Sequence, residues 1–237
     1  MPSLSAASRE ALKRVSTATL TTVLFKHGLR NTFIQGVFLL NRSAPRMVGE
    51  AYTLRYIPAR EDLDQLGAFE GRGHPQREAI EACPPGHVLV MDARRDATAA
   101  TGGDILMTRL MVRGAAGIVT DGGLRDSTTI EKLDFPVYCG ARSAPLNLVR
   151  HHAIDMNLPI GCGGVSVYPG DVLVGDGEGV VVIPAKIADE VAKEAEAQTQ
   201  FEDWVEMKVK EGRSIFGLYP PSAETKAEYE AWKARKK

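Results

Sequence analysis

The chain has 237 residues, 44% hydrophobic and 25% charged, with a formal net charge of −1. That length and apolar content suffice for one large domain, or a domain plus an appendage, and the near-neutral balance speaks against a nucleic-acid surface or an acidic-membrane partner. Cys83, Cys139 and Cys162 are odd in number and widely spaced with no C-x-x-C arrangement, which predicts reduced thiols and argues against disulfides or a zinc site.

The amino terminus, MPSLSAASREALKRVS, carries no signal-peptide-like apolar stretch, and no later segment approaches eighteen uninterrupted apolar residues. The expectation is a soluble cytoplasmic protein without membrane contact. Residues 8 to 28 read as one helix, with Leu12, Val15, Leu20 and Leu24 toward a core and His27-Gly28 near its end. Val48 to Tyr56 reads as an alternating strand. The polar stretch from Pro58 to His74 is a long loop of the kind that forms lids or binding loops. Its carboxylates Glu61, Asp62, Asp64 and Glu70 fit a solvated surface better than a metal cluster. Pro75 to Cys83 is a helix leading into the strand HVLVMD.

The block GGDILMTRLMVRGAAGIVTDGGLRD, Gly102 to Asp126, is the centre of the reading. Asp104 can cap a helix whose apolar residues Ile105, Leu106, Leu110 and Val112 recur at helical spacing, with Gly114 closing it. Gly117-Ile-Val-Thr is a short buried strand. With HVLVMD before it and FPVYC after it, the run is β-α-β-α-β, which predicts parallel strands joined by right-handed crossovers. Chemistry in such folds gathers where strands end and helices begin. Asp104, Asp121, Arg125 and Asp126 all fall there. From local pattern alone, Asp104 is a helix cap, Arg125-Asp126 a surface ion pair, and Asp121 a turn-fixing residue. Asp92, at the end of HVLVMD, is open to either kind of role.

Ala144 to Met156 reads as helical and contains His151-His152. Adjacent helical residues point about 100° apart, so the pair is not expected to share one ion. Gly161 to Pro184 reads as a β-meander in which Asp171 and Asp176 hold tight turns. Its GCGG precedes β-rich sequence, which argues against a dinucleotide or S-adenosylmethionine loop. From Ala185 the composition shifts to Ala, Glu and Lys. Ile187, Val191, Ala195, Phe201, Trp204, Val205 and Val209 predict a long amphipathic helix ending near Gly212. The division expected is a core over 1–185 and a C-terminal helical extension over 186–237, packed on the same subunit or a neighbour.

Asp104, twenty intervening residues, then Arg125-Asp126 matches a D-x20-R-D signature. Together with STATLTTVL, VGEAYTL, PPGHVLVMDA and GGVSVYPGDVLVGDGEGVVVIP, it makes the chain resemble the RraA-like family from about Ser16 to Pro184. That family includes the class II 4-hydroxy-4-methyl-2-oxoglutarate/4-carboxy-4-hydroxy-2-oxoadipate aldolases. The resemblance implies an α/β fold of three-layer β/β/α, swivelling-domain-like type. It also implies a homotrimer or homohexamer with sites at subunit interfaces. One departure stands out: where the family's amino-terminal helix usually carries an acidic residue, this chain has Thr22. His27 lies close enough in sequence to substitute for it, although a histidine near a helix end more often meets the last carbonyls.

The chemistry implied is cleavage of a carbon–carbon bond in a short 2-oxo acid, by retro-aldol cleavage to pyruvate or by decarboxylation of oxaloacetate. The carboxylate and ketone oxygen of such an acid form a chelating pair suited to Mg2+ or Mn2+. Asp126 is the expected metal ligand and Arg125 the expected stabiliser of the enolate oxygen. Backbone amides from Gly103, Asp104, Ile105 and Leu106 at a helix start would receive the substrate carboxylate, with Asp104 orienting metal-bound water or Arg125. Two other readings stand beside this one. The first is a non-catalytic regulator that binds ribonuclease E or another protein, as RraA does. The second, ranked last, is a methyltransferase label borne by some relatives, for which no cofactor loop is recognisable.

Overall fold

The computed structural model describes residues 4–235. Two helices stand where one was expected at the start, α1 (Ala6–Leu12) and α2 (Thr17–Lys26). The break has a local cause. Ser16 is extended, and its hydroxyl accepts the Thr19 amide at 3.0 Å, so a side-chain cap interrupts an otherwise continuous apolar pattern. Asp176 fixes the same point by accepting from the Thr17 amide and hydroxyl at 2.9 and 2.8 Å.

The chain continues through β1 (Phe33–Ile34), β2 (Phe38–Leu39), β3 (Met47–Pro58), α3 (Pro75–Ala82), β4 (His87–Asp92), α4 (Asp104–Val112), β5 (Gly117–Thr120), β6 (Gly123–Leu124) and α5 (Ser127–Ile130). Then come β7 (Val137–Cys139), β8 (Ala141–Arg142), β9 (His151–Met156), β10 (Ile160–Cys162), β11 (Val165–Val167), β12 (Val172–Gly175), β13 (Val180–Ile183), α6 (Ala188–Lys210) and α7 (Ala223–Arg235). A nine-stranded mixed sheet runs β1-β13-β12-β3-β4-β5-β7-β2, with β9 added to β3. Strands β3, β4, β5 and β7 are parallel neighbours, as the β-α-β-α-β pattern predicts.

Side-chain parity along the strands builds three layers. Leu89, Met91, Ile118, Val137 and Cys139 face α3, α4 and α5, whereas Val172, Val174, Val181 and Ile183 meet α1, α2 and α6. Val88, Val90, Val119, Leu173 and Val182 point to the opposite face, which the β10–β11 hairpin covers with Ile160, Cys162, Val165 and Val167. The architecture is the expected β/β/α arrangement. The three cysteines are free and buried.

Four expectations are corrected. Strand β3 does not alternate between core and solvent. It lies between β4 on one edge and β12 and β9 on the other, covered on both faces, so only Arg55 and Pro58 along it are exposed. Helix α4 buries Met107 and Leu110, while Ile105 and Val112 are 77% and 68% exposed. Both pairs recur at helical spacing, so periodicity alone admitted either stripe. The stretch holding His151-His152 is the strand β9, paired antiparallel with β3; the second half of β3 needs a hydrogen-bonding neighbour, and that tertiary demand overrides local propensity. Consecutive strand residues face opposite ways. His151 is buried against the Tyr56 ring, and burial lowers its pKa; His152 meets Asp64 Oδ1 at 2.8 Å. Finally, Gly161 to Pro184 is two hairpins in separate sheets, β10–β11 and β12–β13, and not one meander.

The first turns of α6 place Val191, Ala192 and Ala195 in the core with α1 and α2. Further along, Trp204 and Val205 pack with Leu218 and with Tyr229 of α7, while Phe201 and Trp232 close the cluster. The apolar stripe of the long helix is thus covered by the same chain, apart from Val209, which is 41% exposed. No helix among the described residues is long and apolar enough to cross a membrane.

Candidate active site

The site begins where two chain reversals touch beyond the carboxyl ends of the parallel strands. Gly102 and Gly103 enter α4, and the turn Arg125-Asp126 enters α5. The Arg125 amide donates to Gly102 O at 3.1 Å, locking the two together. The approach is close: a Cβ at Gly103 would stand 2.5 Å from Asp126 Oδ2 and 3.1 Å from Arg125 Cγ, so a larger residue there would displace those side chains. Asp126 is itself left-handed, with φ 56° and ψ 31°, a conformation that costs a non-glycine residue on the order of 1 kcal/mol. Its carboxylate accepts from Arg125 Nε at 3.2 Å, and both side chains are partly exposed.

Helix α4 starts differently from the sequence expectation. Gly103 occupies the cap position, and Asp104 is the first helical residue, its Oδ1 accepting the Ile105 amide at 2.7 Å. The Leu106 amide donates to Gly103 O at 3.1 Å. Of the four amides assigned to a substrate carboxylate, those of Gly103 and Asp104 are therefore the two without a hydrogen bond among the described residues.

These groups line one cleft of about 220 Å³, together with Leu66 and Phe69 of the 59–74 loop, Gln76 and Arg77 of α3, and Leu146 and Asn147. Gly103, Asp104, Ile105, Leu106, Arg125 and Asp126 are all on its wall. The loop that read as a lid does contribute to the cleft, through a 3-10 turn over Leu66–Phe69. Two of its carboxylates are occupied elsewhere: Asp62 pairs with Arg60 and Asp64 with His152. The sequence reading missed Gln76, Arg77 and Asn147. The first two begin a helix whose position relative to the block was not apparent, and Asn147 lay in a stretch read as helix.

Asp121 is close in sequence but does other work. It is 4% exposed and accepts from the Ala93, Arg95 and Gly163 amides at 2.7, 3.2 and 3.0 Å. Burial raises its pKa against the pull of those amides. Asp92 likewise accepts backbone amides, from Arg94 at 2.9 Å and Gly161 at 3.3 Å. Thr22 faces a second groove, with Lys26, Gln198, Phe201, Tyr219 and Tyr229, and its hydroxyl donates to Ala18 O at 3.2 Å. His27 caps the end of α2 and meets Glu194 Oε2 at 3.0 Å.

The ionisable acids on the cleft wall are the two carboxylates Asp104 and Asp126, with no thiol or imidazole beside them. That all-oxygen donor set fits a hard divalent cation that completes its shell with water and substrate oxygens, and does not fit a soft transition metal.

Comparison with known proteins agrees with the fold. Residues 17–182 match the profile of the RraA-like family, described as Aldolase/RraA, and the chain belongs to that family. A protein of Halalkalibacterium halodurans, provisionally named a 4-hydroxy-4-methyl-2-oxoglutarate aldolase, is 39% identical over 119 residues, covering 50% of this chain and 56% of that protein. The matched stretch thus spans about half the length of that relative. Among solved structures, a Streptomyces coelicolor protein described as an unusual member of the RNase ES inhibitor RraA family superposes with TM-score 0.77 at 29% identity, covering 87% of this chain and 99% of that one. An uncharacterized protein from Pseudomonas syringae pv. tomato superposes with TM-score 0.79 at 24% identity, over 92% of this chain and 100% of that one, a likeness of fold.

Proposed function

We propose that the protein is a class II, divalent-metal-dependent lyase that cleaves a carbon–carbon bond of a short 2-oxo acid, by retro-aldol cleavage to pyruvate, by decarboxylation of oxaloacetate, or by both. The observation that carries the reading is the contact of Gly103, Arg125 and Asp126 at the mouth of α4. It puts a guanidinium, a carboxylate and two unengaged backbone amides on one small cleft.

Asp126 would hold the metal, Mg2+ or Mn2+, with Asp104 nearby to orient water. When bound, the ion supplies positive charge to the chelating carboxylate and ketone oxygens of the substrate. The Gly103 and Asp104 amides, at the positive end of the α4 dipole, receive the substrate's C1 carboxylate. Arg125 presents N–H donors to the ketone oxygen. When the distal bond breaks, its electron pair moves into the C2–C3 region and the oxygen becomes an enolate. Donors already aimed at that oxygen gain strength as its charge grows, which lowers the barrier more than it tightens substrate binding. In aldol cleavage a proton must also leave the C4 hydroxyl. Thr22 stands where relatives usually carry an acid, so decarboxylation, which needs no such proton, is expected to be the better reaction.

The family's trimeric or hexameric assembly is carried over as part of this reading, as is a cytoplasmic setting. The test is a screen of 2-oxo acids with Mg2+ or Mn2+, following pyruvate release. Metal-dependent release supports the lyase, and full turnover in excess chelator removes the metal from the reaction. The likeness to an RNase ES inhibitor family member favours a second reading, a regulator that binds a ribonuclease. Capture of a ribonuclease E complex by a protein inactive on every 2-oxo acid would select it.

A further inference from the structure

The layer formed by α1, α2 and α6 carries a group of metal-ligating side chains to which the lyase reading gives no task. His27, which closes α2, lies beside Glu190 and Glu194 of α6, and one ligand atom from each lies within 4.8 Å of the others. The imidazole Nε2 stands 3.0 Å from Glu194 Oε2, whereas Glu190 has no hydrogen bond or ion pair among the described residues. Glu190 and Glu194 are four residues apart on one helix, a spacing at which two like charges destabilise each other. A cation between them turns that repulsion into attraction. The helices that carry the three ligands share a core, in which Leu20, Val23 and Leu24 pack with Val191, Ala192 and Ala195, so the spacing of the ligands is set by the fold. One imidazole nitrogen and two carboxylate oxygens, with space left for water, make the donor set of a three-ligand zinc site. The nitrogen separates it from the all-oxygen cleft, because imidazole favours Zn2+ over Mg2+ or Mn2+. Ligand atoms around tetrahedral zinc are about 3.4 Å apart, a separation that the exposed Glu190 and Glu194 side chains reach by rotation from 4.8 Å or less.

We propose that His27, Glu190 and Glu194 form a second metal site, for Zn2+, that pins the end of α2 to the first turns of α6. It stands apart from the lyase reading. None of the three residues lines the cleft, and Glu190 and Glu194 lie beyond the stretch 17–182 that matches the family. The cysteines, free and buried, take no part. On binding, the cation takes the place of the proton between Nε2 and Oε2, so the ring binds as neutral imidazole. It stabilises the folded chain, because only the fold brings the end of α2 and the start of α6 together.

The test uses the full chain freed of metal with a chelator, both as wild type and as Asp126→Gly, in which the cleft carboxylate takes no part. Calorimetry with Zn2+ is expected to show a site on Asp126→Gly as on wild type. Adding Glu190→Gln, Glu194→Gln or His27→Gln should weaken that site at least about 10-fold, since even groups one step removed from a metal cost as much. Co2+ in place of Zn2+ reports the ligand set through its visible absorption, and each variant should shift or lose the band, a change that a merely structural role would not produce. Zn2+ at about 100 times its Kd should raise the melting temperature by about 5 °C or more, and Glu190→Gln should abolish the rise. Glu190 and Glu194 are exposed, so their glutamine variants decide the matter if a change at His27 disturbs the end of α2. Absence of Zn2+ binding by Asp126→Gly, or binding and a Co2+ spectrum unchanged by Glu190→Gln and Glu194→Gln, would overturn the proposal.

Discussion

Asp121 and Asp126 are five positions apart, both follow a strand, and both were candidates for the same site, yet the fold uses them in opposite ways. Asp121 is buried, and three backbone amides from two separate segments converge on it. Its lone pairs are committed, so it fastens the strand ends and the β10–β11 hairpin to one another. Asp126 sits in a left-handed turn with a single side-chain partner, Arg125, and it borders a cleft. The fold spends conformational energy to hold it there and leaves most of its acceptor capacity open. A carboxylate saturated by amides is a structural clasp, while one held in strain with lone pairs to spare is available to a ligand.

That contrast can be broken at several points. The largest effect on stability belongs to Asp121→Ala, which leaves two buried amides and a part-buried one unpaired and should cost about 3 kcal/mol in denaturant unfolding. The pH dependence sharpens it. Burial places the native Asp121 pKa above its ordinary 3.8. A carboxyl raised in this way contributes stability that is fully present below the unfolded value and lost as pH rises through the native one. The margin of wild type over Asp121→Asn should therefore shrink as pH climbs upward from 3.8, as read by unfolding across the acid range.

The largest effect on rate belongs to Arg125. Arg125→Ala should lower kcat on the order of 100-fold while leaving the melting temperature nearly unchanged, and Arg125→Lys should recover only part of the loss. A variant that keeps its turnover and melts early would make Arg125 a structural ion-pair residue. Gly103→Ala is a subtler intrusion, since its methyl group would press on Asp126 Oδ2. It should weaken activity about 10-fold or more by moving that carboxylate, because small displacements of reacting groups are costly, with a stability change near 1 kcal/mol. Steady-state kinetics beside thermal unfolding would separate the two effects.

Much of this was legible in the sequence, for identifiable reasons. The β-α-β-α-β block announced parallel strands because apolar runs, glycine stops and helix-start residues agreed with one another. Gly103, Asp104, Arg125 and Asp126 were singled out by their places at element boundaries and by the D-x20-R-D spacing, and the fold brings them to one cleft. The N-terminal break is hidden because Ser16 starts a second helix through one side-chain bond inside an apolar pattern. Strand β9 was hidden because its conformation depends on the distant edge of β3. Arg77 and Asn147 share the cleft only through tertiary packing, seventy residues apart in sequence, and no local signal links them.

Asp126→Gly distinguishes a carboxylate held in the left-handed turn for a ligand from one held there for the fold. Glycine adopts φ 56° without the cost borne by aspartate, so the substitution preserves the turn and removes only the carboxylate. The measurement is Mn2+ binding by electron paramagnetic resonance, on wild type and variant, with the melting temperature recorded alongside. Asp126→Gly is expected to melt at or slightly above the wild-type temperature and to lose Mn2+ binding by at least about 10-fold. A variant that binds Mn2+ as wild type does, or that unfolds early, would contradict the ligand role.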